Sequence, residues 1–217
     1  MRKIKFVNGE YYHIFNRGVE KRDIFTNQKN LDRFFQSMNE FNTPMPIGSI
    51  YAASFHKINL LRNLVPKSER LVNFICYCLC LNHYHFILQQ VADHGIAKFM
   101  HRLGLGYTNY FNEKYKRSGS LFQGTFKANH IDSDEYLLYV SAYVNLNYKV
   151  HQLTGDLFKS SWEDYMQAGE KEKFCDTNII LNQFTSVLEY KNFAENAVII
   201  ARERKELEKI IKLDLET

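Results

Sequence analysis

The chain has 217 residues, 45% of them hydrophobic, enough to bury one core of ordinary size. Its three prolines argue against long disordered linkers, and the lack of an apolar run of about 18 residues or of an apolar signal core leaves no membrane span or secretory signal to expect. Lys and Arg number 28 against 24 Asp and Glu, and a net charge of +4 permits nucleic-acid binding without arguing for it.

In chain order, Tyr11 to Phe15 reads as a strand running into the Asn16-Arg17-Gly18 turn. Asn27 caps a helix over residues 28–42, where Leu31, Phe34, Phe35, Met38 and Phe41 recur at helical spacing. The Pro-rich 43–48 segment is a break, Ile50 to Phe55 a second strand, and 56–70 a loop. Leu71 to Gln89 is too long for one strand and predicts a hairpin turning near Leu81-Asn82. Residues 94–115 form a helix weakened by Gly104 and Gly106, 117–120 a turn, and Leu121 to Ala128 a short strand. Asp132 or Ser133 caps a helix over 134–147. Beyond Val150 the chain reads as loops, a short helix at 162–168 and two helices over 183–214, the last charged outside with an apolar stripe of Leu207, Ile210, Ile211 and Leu213. The pattern predicts an α+β fold, an antiparallel sheet flanked by helices, with a first domain over 1–150 and a C-terminal helical extension over 151–217.

Three of the four cysteines, Cys76, Cys78 and Cys80, alternate along one apolar run, and Cys175 stands apart. Positions i and i+2 of a strand are poorly placed for a disulfide, so buried free thiols in a reducing cytoplasm are the simpler expectation. His83 and His85 also alternate, so a strand projects both imidazoles from one face, as a divalent metal requires. Two ordinary hydrogen-bonded histidines have the same spacing, and a zinc-stabilised module using these cysteines is a rival. Tyr143 and Asn147 are i and i+4 on the 134–147 helix. The Asn147 carbonyl suits Mg²⁺ or Mn²⁺, and the Tyr143 phenol is a competent nucleophile towards phosphorus. A tyrosine-rich core stripe, as for Tyr136 and Tyr139, is the plain alternative. No GxxxxGK[ST] loop occurs, so no nucleotide cofactor is expected.

The segments YYHIFNRGVEKRDIF, LNHYHFIL, YFNEKYKRSGSLFQGTFKA, DSDEYLLYVSAYVNLNYKVH and CDTNIILNQFTSVLEYKNF, taken in order, resemble the HUH single-strand DNA transposases over roughly residues 10–195. The likeness is to the REP-associated tyrosine transposases and their insertion-sequence relatives. Leu81 and Tyr148 stand where that family usually has Pro, and Thr125 where it has Arg. The resemblance implies a ferredoxin- or RRM-like HUH fold. It implies cleavage and rejoining of single-stranded, hairpin-containing DNA through a 5′-phosphotyrosine, with Mg²⁺ or Mn²⁺. Residue by residue, it makes His83, His85 and Asn147 the metal ligands and Tyr143 the nucleophile. Arg17, Lys116, Arg117 and Lys127 become phosphate contacts, and Phe122 and Tyr115 surfaces for base stacking. A homodimer is compatible with it. The other function class is a non-catalytic DNA-hairpin-binding protein of the same fold.

Overall fold

Alternating apolar residues build the sheet. In the computed structural model, which describes residues 4–45, 69–153, 155, 157–167 and 173–215, β1 is Tyr11–Arg17, β2 Val72–Cys80, β3 His83–Gln90, β4 Lys127–Ile131 and β5 Lys159–Ser160. They form one sheet in the order β4-β1-β3-β2-β5, and every neighbouring pair is antiparallel. The expected hairpin is β2–β3, turning at Leu81 and Asn82.

Directly paired residues share a sheet face. Ile14 opposes Phe86 and Tyr12 opposes Leu88, and all four are buried in a first core. The other face carries Arg17 opposite His83, Phe15 opposite His85 and His13 opposite Ile87, with Cys80 and Cys78 across from His83 and His85. A register shift between Phe74 and Cys76 lets both Ile75 and Cys76 enter the second core on this side.

Helices α1 (Gln28–Glu40) and α2 (Gly95–Lys114) cover the first face. The Asn27 side chain accepts from the Asn30 amide at 3.1 Å, and α1 turns Leu31, Phe34 and Met38 inward. Gly104 and Gly106 do not interrupt α2. At Gly106 a Cβ would lie 2.6 Å from the Phe41 ring, so this glycine is used for close packing.

The second face is covered by α3 (Asp134–Asn145), α4 (Asn147–Val150), α5 (Trp162–Met166), α6 (Asn178–Leu181) and α7 (Val187–Leu215). α7 packs on α3 through Tyr190, Ala194, Ala197 and Val198. The Tyr190 hydroxyl meets Ser141 Oγ at 3.2 Å and accepts from Asn145 Nδ2 at 2.8 Å.

Four expectations are corrected. The strand placed at Leu121–Ala128 begins instead at Lys127, because Gly124 takes φ +68° and Leu121 and Phe122 turn into the first core. The 134–147 helix, capped by Ser133, one of the two expected candidates, ends at Asn145 rather than 147; Leu146, at φ −110° and ψ 21°, separates it from α4. Two helices over 183–214 become the single α7, because residues 187–201 keep one face packed without a break. The helix expected over 162–168 stops at Met166. The strand at 50–55, most of the 56–70 loop and the apolar stripe of Leu207 to Leu213 lie outside the described residues or side chains. Among the described residues, no helix is long and apolar enough to cross a membrane. The four cysteines are buried free thiols.

Candidate active site

Strand alternation puts His83 and His85 on the second face, their rings 5.3 Å apart and nearly perpendicular. α3 lays Tyr143 across them. The Tyr143 ring stands edge-on to His85 at 5.6 Å and to His13 of β1 at 6.3 Å. The break at Leu146 turns Asn147 inward, where it is fully buried and its Oδ1 lies 2.9 Å from His83 Nε2. Cys80 Sγ donates to the same oxygen at 3.7 Å. The sheet and two separate helices thus bring His83, His85, Tyr143 and Asn147 together.

Burial dominates the electrostatics. It lowers the pKa of His83, and it holds His85 well below its ordinary value, helped by the neighbouring His13, His83 and His151. Burial also raises the Tyr143 phenol, against which the Asn147 amide pulls it back. The phenol is therefore protonated at neutral pH until something in the site favours its anion.

The side chains fit a hard divalent cation. His83 Nδ1 lies 2.7 Å from Asn82 Oδ1, while its Nε2 faces Asn147 Oδ1. A neutral imidazole has one N–H, so one of these contacts opposes a lone pair to an oxygen. With the proton on Nδ1 and donated to Asn82, both Nε2 and the Asn147 oxygen are left facing each other as donors of lone pairs. A cation between them removes that conflict, and 2.9 Å is close to the roughly 3 Å between adjacent ligand atoms around an octahedral ion with bonds of about 2.1 Å. The Asn147 oxygen is the amide atom that faces His83 Nε2. His85 is oriented in the same sense: its Nδ1 lies 2.8 Å from His13 Nε2, and donation to His13 leaves its own Nε2 unprotonated. Among the described residues, no group of three or more His, Cys, Asp and Glu side chains is arranged to hold a metal.

The His13–His85 contact predicts a pH dependence in metal-free protein. Burial lowers the His13 pKa from its ordinary 6.5 to about 4. The unfolded chain then binds more protons between those values, so the stability is present above pH 6.5 and is lost as pH falls towards 4. His13 alone should cost about 2 kcal/mol between pH 7 and pH 5. Urea unfolding in EDTA at the two pH values measures it; identical midpoints would rule out a neutral buried pair.

The expected phosphate contacts divide. Arg17 and Lys127 lie on the site face, opposite His83 and Phe15 respectively, and Arg17 Nε donates to Gln123 Oε1. Lys116 and Arg117 follow α2, which packs on the other face. Arg117 donates to Asn112 Oδ1 at 2.7 Å and the Ser120 carbonyl at 3.0 Å, stitching the turn, and Lys116 is exposed at φ +51°. Phe122 is buried in the first core and is not a stacking surface, whereas Tyr115 is exposed, its hydroxyl held by Thr26, Asn27 and Asn30. No residue pattern points to Asn82 as a partner of His83, or to His151, whose ring lies 4.5 Å from that of His83; the hairpin geometry and the fold of residues past 145 bring them in. His13 had a motif position but no partner until β1 paired with β3.

Comparison with known proteins gives a limited set of likenesses. No curated protein matches the chain. Among solved structures, one of a REP-associated tyrosine transposase bound to a REP hairpin is similar at 11% identity, covering 70% of this chain and 73% of that one, with a TM-score of 0.47. Residues 59–147, the span that contains His83, His85, Tyr143 and Asn147, match the model of the IS200-like transposase family.

Proposed function

We propose that this chain cleaves and rejoins single-stranded DNA, with Tyr143 as nucleophile and His83, His85 and Asn147 holding Mg²⁺ or Mn²⁺. The observation that carries the reading is the convergence of those four side chains from β3, α3 and α4, with His83 Nε2 and Asn147 Oδ1 left facing each other 2.9 Å apart. The match of residues 59–147 to the IS200-like transposases supports it independently.

The Tyr143 oxygen attacks the scissile phosphorus, the Oη–P bond forms and the P–O3′ bond breaks. The phenol loses the proton that the departing 3′-oxygen gains. Attack by another 3′-hydroxyl on the phosphotyrosine reverses the exchange, so the bond energy is conserved and no nucleotide is consumed. A divalent cation bound at the site supplies positive charge to the non-bridging phosphate oxygens as the transition state forms. Asn82 and His13 hold the two imidazoles in the tautomer that leaves Nε2 free. Arg17, opposite His83, and Lys127 meet flanking phosphates from the sheet side, with Lys116 and Arg117 contacting a more distant part of the strand. The Tyr143 ring stands over its own chain's His85, which favours a nucleophile acting within one chain even where two chains associate.

On this reading residues 1–150 form the catalytic domain and 151–217 a helical extension that closes its second face. The hairpin substrate follows from the sequence motifs shared with the REP-associated transposases, and the cytoplasm from the four free thiols. Incubation with single-stranded hairpin oligonucleotides and Mn²⁺ should give a protein–DNA adduct that survives denaturant. Binding without any adduct across a set of hairpins would point instead to a non-catalytic hairpin-binding protein.

A further inference from the structure

The last helix reaches the site. Arg202 of α7 donates through Nε and Nη2 to the Lys149 carbonyl at 3.0 and 2.6 Å, and Lys149 Nζ pairs with Glu195 at 3.5 Å. These contacts tie α7 to α4, the turn that carries Asn147. One turn beyond Arg202, Lys205 Nζ lies 2.9 Å from His151 Nδ1, and the His151 ring packs tilted at 52° against that of His83 with centroids 4.5 Å apart. An ammonium only donates, so His151 Nδ1 accepts, and the ring's proton is on Nε2. That tautomer makes His151 an N–H donor beside His83 rather than a further metal ligand. Arg17 lies opposite His83 in the β1–β3 pair, on the same sheet face.

We propose that Lys205 and His151 form a phosphate-contacting pair that receives a phosphodiester of the single-stranded DNA beside the metal-binding histidines. Lys205 supplies the charge and His151 an Nε2–H donor, in the combination that binds a phosphate oxygen. The inference rests on the nucleic-acid reading above and gives α7 a role in the site, where its sequence reads as a solvated helix packed by one face.

The test uses the full-length protein in EDTA, so that neither cleavage nor metal contributes, and a single-stranded hairpin oligonucleotide as probe. Binding is measured across a salt series for wild type, Lys205→Gln, Lys205→Arg and His151→Gln. Lys191→Gln serves as a control, since Lys191 is exposed on the same helix about 21 Å away. Loss of one phosphate contact should lower the slope of log affinity against log salt by about 0.7 in Lys205→Gln. Lys205→Arg should keep the wild-type slope, His151→Gln should weaken binding several-fold, and Lys191→Gln should change nothing. Wild-type slopes in Lys205→Gln, or an equal drop in Lys191→Gln, would overturn the pair while leaving the nuclease reading intact. A wild-type protein that fails to bind the probe at all would overturn both. Thermal melts of each variant separate a lost contact from an unfolded helix.

Discussion

Replacing Tyr143 with phenylalanine should lower adduct formation on single-stranded DNA by at least about 10³-fold while leaving hairpin affinity within about twofold of wild type. The hydroxyl is the only atom group removed. The ring stays, and with it the edge-on contacts to His85 and His13 that seat α3 on the sheet. The loss is therefore chemical rather than structural: among the described residues no other phenol stands at that position beside the histidines. Tyr139, one turn earlier on α3 and half-buried in the second core, is the fitting control. Tyr139→Phe should keep adduct formation. Denaturing gels of labelled oligonucleotide, with affinity measured in parallel, decide the matter. Wild-type adduct yield from Tyr143→Phe would remove the tyrosine from the mechanism altogether.

The second large effect is expected from the double substitution His83→Gln with His85→Gln. It should reduce cleavage by at least about 100-fold, since metal-borne charge stabilisation is worth several kcal/mol. A readout independent of activity is available. Mn²⁺ in excess should raise the unfolding free energy of wild type by mass action, about 2.7 kcal/mol at 100 times the dissociation constant. The double variant should show no such gain. Glutamine is chosen over alanine because His85 is buried against His13, and an alanine there would leave a cavity and an unpartnered His13 nitrogen. Equal stabilisation of both proteins by Mn²⁺ would place the metal elsewhere; no stabilisation of either would remove it from the site.

The residues of the site were legible to different degrees. His83 and His85 are visible because a strand's period of two is exact, so two histidines at i and i+2 share a face whatever the rest of the fold does. Tyr143 and Asn147 looked like one helical stripe, which was right about proximity and wrong about cause. α3 ends before Asn147, and Asn145, drawn into hydrogen bonds with Tyr190 and Ser161, helps fix that end. Lys116 and Arg117 sit in a recognisable motif, yet a motif does not say on which side of a sheet its helix will pack. Arg17 and Lys127 share the site face only because β1 pairs with both β3 and β4.

What the sequence determined by itself is local: the strands and helices set by apolar period, the caps, and the pairing of two imidazoles on one strand face. The α+β class with its antiparallel sheet follows from that order of elements and is what the structure has. Tertiary structure alone decided which groups answer those imidazoles. His13 comes from 72 residues earlier, in β1, and its Nε2 meets His85 Nδ1, Asn147 comes in across the break after α3, and Lys205 reaches His151 from the far end of the chain. Such contacts depend on sheet order and helix packing, which are set by the burial of whole faces rather than by any short pattern; of these groups only Asn147 was legible in the sequence, through its spacing from Tyr143.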